Sequence, residues 1–487
     1  MKEIKTIGII GAGISGLVAA KTCLEYGYQV KVFEKDREVG GVWSLSRRYP
    51  GLSTQNNKDT YFFSDFPMPN HFSEWPTGAE MQLYLNSYAI AFGVFQRIRF
   101  SHDVTKINFQ DNSWTIEGKA KGIPFTDKFD FIIVSNGTFS DPFIPQLPGT
   151  GSFISAGGKI LHNTQFHSTA LARDKRIVVV GYGKSSSDVV TAASDTAKST
   201  HLVFRAPKWK LPRYIKGINL KYILLNRLGE SIIRPENHRG RLDRFLHKLG
   251  LPQKMLSFVQ SYIIKTQQLK ENGLLPPTQL LDEVFGEITL ETREFFNRVQ
   301  KGKIITKQGE IVSFEGKQLT LSTGEKIECD MVIFATGFNQ SIPFMSDDLI
   351  GKFTDESGNY LLHRHILPPG VPSLAFVGYN TSIFSSLTSE IGALWVCEYL
   401  KGRMPVPDDA QIIKEGKEFI AWRSGFRLNA SSRGLSVMPS TIYHVDQLLD
   451  DMKAPLPLSS LIPDWLVTVN PGRYKQIREK LLRRNKV

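Results

Sequence analysis

The stretch from Ile7 to Trp43 constrains this chain more than any other. Ile7-Gly-Ile-Ile10 is apolar, short enough for a buried strand, and runs straight into Gly11-Ala12-Gly13-Ile14-Ser15-Gly16. Leu17–Tyr26 then reads as a helix that Gly27 ends. Gln29–Phe33 resumes as a strand, and Glu34 closes it 23 positions after Gly11. Strand, glycine turn, helix, strand and acid in this order form a dinucleotide fingerprint. Gly11 permits the tight turn, Gly13 lets a pyrophosphate approach the backbone, and Gly16 lets helix and strand pack closely. The helix N-terminus offers free N–H groups and a positive dipole end to the phosphates. Glu34 is placed to accept hydrogen bonds from ribose hydroxyls. Gly40-Gly41-Val42-Trp43 follows at once, and this position suits lining the same ligand.

The plan restarts at Arg176. Ile177–Val180 leads into Gly181-Tyr-Gly183-Lys-Ser185-Ser186-Ser187-Asp188 and a helix of small residues. Ser186 stands where the third glycine would, small enough for close packing. The next strand, Leu202–Phe204, ends in Arg205 rather than an acid, which suits a ribose 2′-phosphate by charge and bidentate geometry. Asp130…Gly137 and Asp330…Gly337 match in layout, and short alternating segments precede each. The chain therefore reads as α/β, with two Rossmann-like dinucleotide-binding domains of one plan. Residues 1–168 and 336–487 make the first, and 169–335 the second. A helical insertion at 206–299 interrupts the second, with apolar helical stretches at 220–228 and 255–269. One adenine-dinucleotide site and one NADP site together imply a flavin reduced by NADPH.

The remaining segments are plainer. Residues 50–76 read as an ordered surface loop, and Thr77-Gly-Ala-Glu80 as a capping box opening a helix. Ser389–Leu400 reads as a core helix and Arg473–Arg484 as a short basic one. No apolar run reaches the length of a membrane span, and the first apolar segment is a strand rather than a signal peptide. Cys23, Cys329 and Cys397 are scattered, without a C-x-x-C pair, which suits a reducing compartment and excludes a dithiol redox motif. No metal-ligand spacing stands out. The net charge of +13 is concentrated: residues 201–254 carry 13 Lys and Arg against 3 acids, and 471–487 carry 7 against 1. No nucleic-acid-binding signature accompanies these patches. They read as solvated faces or as attraction for an anionic cofactor, with peripheral membrane contact also admitted.

Together these motifs resemble the class B flavin-containing monooxygenases, of the dimethylaniline type, over nearly the whole length. The likeness rests on Gly11–Gly16, Glu34-Lys35, Gly40-Gly-Val-Trp43, Ser64-Asp-Phe-Pro67, Gly181–Asp188, Gly273-Leu-Leu-Pro276, Ala335-Thr-Gly337 and Pro343-Phe344. The family's identifying sequence falls at 156–166, where Gly158, His162 and Phe166 match and Ala156 replaces the leading Phe. His162 reads as a linker residue that fixes a turn.

The resemblance implies a cytoplasmic enzyme that binds FAD and NADPH. NADPH reduces the flavin, dioxygen adds to form a flavin hydroperoxide, and an amine nitrogen or sulfur of a small molecule takes the distal oxygen. It places FAD contacts on Gly11 to Gly16, Glu34, Val42, Trp43, Gln55 and Asn56. It places NADP contacts on Thr54, Gln55, Ser185 to Asp188 and Arg205. The family asparagine after Thr54 is here Gln55, which keeps the amide, adds a methylene and is expected to carry the catalytic role of holding hydroperoxide and nicotinamide in one geometry; Asn56 beside it could take over that role. The animal enzymes of the family carry a hydrophobic C-terminal anchor where this sequence has the basic helix, so the protein is expected to be soluble or at most peripheral to a membrane, and a homodimer is admitted. Two other reactions use the same cofactors: Baeyer–Villiger oxygenation of a ketone, and NADPH oxidase or flavin reductase activity.

Overall fold

The computed structural model describes residues 3–231, 241–283, 289–291, 293–380, 382–424 and 441–486. Two five-stranded parallel sheets organise it. In the first, Thr6–Ile10 lies at the centre, between Gln29–Phe33 and Phe131–Val134. Ile98–Arg99 and Leu374–Phe376 complete its edges. In the second, Arg176–Val180 is central, between Ser199–Phe204 and Met331–Phe334. Ile305–Gln308 and Lys159–His162 form its edges. The inner strands are apolar on both faces because helices and meanders cover both sides of a parallel sheet. All four residues of Phe131–Val134 and of Met331–Phe334 are buried.

The matched aspartates do the same job in each unit. Asp130 Oδ2 accepts hydrogen bonds from the Lys5 and Thr6 amides and from Thr6 Oγ1, so it ties the start of one strand to the start of its neighbour. Asp330 does this for Arg176, accepting from its amide and from two guanidinium nitrogens at 3.0 Å each. Those bonds from Arg176 hold the Asp330 carboxyl well below the usual carboxylate range. Antiparallel meanders precede Phe131–Val134 and Met331–Phe334: His102–Gln110, Ser113–Ala120 and Ile123–Phe129 in one unit, Ile311–Glu315, Gln318–Leu321 and Lys326–Glu328 in the other.

Three features differ from the sequence expectation. The strand Lys159–His162 lies in the second sheet, ahead of residue 169, because Phe153 packs on Phe314 and draws the preceding segment there. The insertion is not purely helical. Lys210–Pro212 pairs in parallel with Thr289–Glu291, and Tyr214–Ile215 forms a hairpin with Ile218–Asn219. Strands of two or three residues leave no period to read. The late core helix begins at Ser385, four residues early, and packs along the first glycine-loop helix, Ile14–Glu25. Cys23 and Cys397 face each other there at 3.8 Å, both buried.

The capping box at Thr77 forms in both directions and opens the helix Gly78–Ala91. No helix among the described residues is long and apolar enough to cross a membrane.

Candidate functional site

The first glycine loop is shaped by close approach. Gly11 has φ +106°, and a Cβ there would lie 2.4 Å from the Ser135 carbonyl oxygen. A Cβ on Gly16 would lie 1.8 Å from the Gly11 carbonyl, so only glycine lets the helix sit this near the strand. Gly13 differs, since a Cβ there would reach only Gly41 Cα, at 3.6 Å. Gly13 caps the helix without a side-chain acceptor, leaving first-turn amides available to a ligand. Ser15 Oγ lies 3.0 Å from Ser389 Oγ and ties this turn to the late core helix. Ala12 is buried, and Ile14 is half-buried.

Glu34 closes the second strand, as its position requires for a ribose. Its oxygens accept from the Ala12 amide at 2.7 Å and the Asp36 amide at 2.8 Å. Each oxygen keeps a further lone pair for a hydroxyl. Burial pushes its pKa up, against these two bonds. Gly40 donates to the Ala12 carbonyl, which brings the Gly40–Trp43 turn against the loop. Trp43 is buried and meets Tyr61 edge-on, whereas Val42 points outward, 37% exposed.

The second loop repeats the first. Gly181 has φ +126°, and a Cβ there would lie 2.5 Å from the Ala335 carbonyl, the counterpart of Ser135. Ser186 fits at the third position because its Cβ would stand 3.6 Å from a Cβ on Gly181; its hydroxyl donates to the Gly183 carbonyl at 2.8 Å. Ser187 is buried and donates to the same carbonyl. Gly183 is open, with no atom within 4 Å of a Cβ. Asp188 is buried and paired with Lys184; burial pushes its pKa up to about 6 while Lys184 pulls it down. Both cradles thus have the bare glycine and unblocked helix end that a dinucleotide pyrophosphate needs.

The two cradles meet along residues 49–56. Tyr49 donates to Ser185 Oγ at 2.9 Å, and a Cβ on Gly51 would touch Asp188 at 3.5 Å. Thr54 is buried and donates to the Asn56 carbonyl. The two neighbouring amides part company here. Gln55 is exposed and its oxygen accepts from the Leu290 amide at 3.0 Å, on the insertion. Asn56 is 4% exposed, and its Nδ2 has no partner among the described residues. Arg205 stands at the C-terminal end of the inner strand Ser199–Phe204, 72% exposed and 3.7 Å from Glu310.

Arg47 escaped the sequence reading. It sits beside Glu34 and Asp36, donates to the Phe139 carbonyl, and lies 6.0 Å over the Phe338 ring. A cation there bridges the first loop and the paired crossing strands Asp141–Pro142 and Phe338–Asn339. No spacing rule marks it, because its partners are distant in sequence. His162 is buried, with Nδ1 2.9 Å from Thr164 Oγ1 and Nε2 3.0 Å from the Gly337 carbonyl. Burial pushes its pKa down to about 4, so it is a neutral brace between the crossings.

A family model described as flavin-binding monooxygenase-like matches residues 4–449. Flavin-containing monooxygenase 1 of Rattus norvegicus is 26% identical over 482 residues, covering 94% of this chain and 85% of that protein. Among solved structures, S-allyl-L-cysteine S-oxygenase from Allium sativum aligns with a TM-score of 0.61 at 17% identity, covering 99% and 98% of the two chains. Cyclohexanone monooxygenase from Rhodococcus sp. Phi1, bound to NADP+, aligns with a TM-score of 0.68 at 18% identity, covering 93% and 98%.

Proposed function

The chain belongs to the flavin-binding monooxygenase-like family, and we propose that it transfers one oxygen atom from dioxygen to an amine nitrogen or sulfur of a small molecule. It is an FAD- and NADPH-dependent flavoprotein monooxygenase. The observation that carries the reading is the paired cradle: two dinucleotide loops in one chain, the second touched at Ser185 and Asp188 by Tyr49 and Gly51, a few residues after the Gly40–Trp43 turn of the first. FAD suits the first cradle, with the Ile14–Glu25 helix end toward its diphosphate and Glu34 toward its ribose. NADPH suits the second, with Gly183 to Asp188 at its diphosphate. When bound, the reduced flavin supplies the activation of dioxygen. The chain's own residues hold the two ligands in register and exclude water.

The FAD-loaded protein should consume NADPH faster when a thioether or tertiary amine is added, and form sulfoxide or N-oxide in proportion. Ester or lactone formed from a ketone instead would identify Baeyer–Villiger chemistry. NADPH consumption recovered wholly as hydrogen peroxide would identify an oxidase.

The burial of Asn56 and the engagement of Gln55 with Leu290 support giving the catalytic amide to Asn56 and a docking role to Gln55. Asn56→Ala should cut product formed per NADPH and raise peroxide release, with a loss on the order of a hundred-fold in product-forming rate. Gln55→Ala should be much milder. Uncoupling by Gln55→Ala with an unaffected Asn56→Ala would reverse this assignment.

Arg205 is free to turn from Glu310, since an exposed pair holds weakly. Arg205→Ala should raise the NADPH Michaelis constant roughly ten-fold and leave that for NADH unchanged. A wild type that uses both cofactors equally would remove Arg205 from the role.

A further inference from the structure

Beneath the second glycine loop lie Lys184, Asp188, Lys210, Glu291 and Arg213, with Glu74 on the far side of Arg213. Lys184 pairs with Asp188, and Lys210 lies 3.5 Å from Glu291, both of the latter 1% exposed. Each of these carboxylates therefore has its own lysine. Arg213 is the fifth member. Asp188 and Glu291 are the charges that act on it most, yet no carboxylate lies within ion-pair distance of it among the described residues.

Arg213 is nevertheless firmly placed. Its Nη2 donates to Ser53 Oγ at 2.9 Å, and its guanidinium lies 4.6 Å over the Trp75 ring. Its carbonyl accepts from the Leu220 amide at 3.0 Å. The hairpin that follows it is tied to Glu74 through Tyr214 and Asn219, at 2.5 and 2.6 Å. Its Nε is sealed from solvent without an acceptor. Burial holds its pKa below the ordinary arginine value. Holding a half-buried guanidinium rigid with no carboxylate at ion-pair distance is costly unless an anion completes it. Its planar fork suits the oxygens of a phosphate or carboxylate. Ser53 adjoins Thr54 and Asn56, so such an anion would lie where the two cradles meet.

We propose that Arg213 anchors an anionic, oxygen-bearing group at the seam between the two cradles, either the diphosphate of the second dinucleotide or a carboxylate carried by the substrate. The inference rests on the monooxygenase reading and narrows it. If the carboxylate is the ligand, the enzyme acts on acidic thioethers or amines in preference to neutral ones.

The test uses the full-length, FAD-loaded protein, Arg213→Gln and Arg213→Lys. Two quantities are read: the dissociation constant of NADP+, from the flavin spectrum, and the Michaelis constants of a thioether acid and its methyl ester. Arg213→Gln should weaken one ligand roughly ten- to a hundred-fold, and Arg213→Lys should recover part of the loss. Weaker NADP+ with acid and ester affected alike assigns the diphosphate. Unchanged NADP+ with only the acid affected assigns the carboxylate. Arg213→Gln with every constant unchanged overturns the anchor while leaving the monooxygenase reading intact. A wild type that binds FAD but neither binds NADP+ nor oxygenates overturns both. Should Arg213→Gln not fold, competition on the wild type decides. Displacement of NADP+ by inorganic pyrophosphate, or of the thioether acid by acetate, supports the anchor; displacement by neither overturns it.

Discussion

Gly183→Ala should give a folded protein that keeps its flavin and is poorly reduced by NADPH. A Cβ at this position meets no protein atom within 4 Å, and φ is −78°, so alanine brings no clash and costs the fold only the weaker helix N-cap, on the order of 1 kcal/mol. Its methyl would instead stand in the path of the diphosphate. Overpacking of about 1–3 kcal/mol corresponds to roughly a ten- to hundred-fold rise in the NADP+ dissociation constant. The flavin content should not move, and the melting temperature should fall by no more than about 2–4 °C. Gly13→Ala is the matching experiment for the first cradle, because its Cβ makes only ordinary contact with Gly41 at 3.6 Å. It should lower FAD occupancy without unfolding the apoprotein. Gly11→Ala and Gly16→Ala cannot serve, since both would drive a Cβ into a backbone carbonyl and damage the fold with or without a ligand. A Gly183→Ala protein that binds NADP+ as tightly as wild type would move the second dinucleotide to another surface.

Arg478→Met should destabilise the first unit by about 3–5 kcal/mol, since it strands buried carboxylates. Arg478 lies on the last helix, Lys475–Lys486, and is 2% exposed. It pairs with Glu25 and lies 3.4 Å from both Asp65 and Glu390. Without it, three carboxylates face Lys21 alone, which is itself buried and paired with Glu25 and Asp65. Glu390 is held in place by the Ser64 amide and hydroxyl, at 2.7 and 2.6 Å, and cannot turn to solvent cheaply. Burial already pushes its pKa up, and Arg478 is the largest force pulling it down. In the variant its folded-state pKa therefore rises further above the unfolded value. A carboxylate raised in this way favours folding when protonated, so its penalty is greatest at neutral pH. The deficit in melting temperature should shrink as pH falls through the raised folded pKa toward the ordinary carboxylate range. A deficit that is constant with pH would mean that lost packing, rather than stranded charge, is what Arg478 supplies.

Much of this molecule could be read before any coordinates. The two glycine loops announce themselves because the requirement is local: a turn at φ above +100° beside a carbonyl admits only glycine, whatever the rest of the chain does. The duplication was legible for a related reason. Asp130 and Asp330 stand just before Phe131–Val134 and Met331–Phe334 and tie each to the central strand of its sheet, and both aspartates stand seven residues before a glycine. Glu34 was legible from its spacing alone. The insertion was legible as an interruption but not as a structure, because strands as short as Lys210–Pro212 and Tyr214–Ile215 carry no periodicity.

The sequence by itself determined the two dinucleotide units, the chemical contrast between Glu34 and Arg205, and the lack of a span-length apolar run. Each follows from residue type and spacing over a few tens of positions. Tertiary structure alone separates Gln55 from Asn56 in burial and in partner. Both are amides in one loop, and only the position of Leu290, 235 residues away, turns one outward and leaves the other buried. It also decided what the basic segments are for. Arg478 and Arg213 look, in sequence, like members of solvated cationic runs. Folding buries the first against Glu390, with Asp65 and Glu25 beside it, and fixes the second on Trp75 with no carboxylate at ion-pair distance among the described residues. Charge is a property of the residue, but whether that charge is spent on water, on a partner or on a ligand depends on which distant segments surround it.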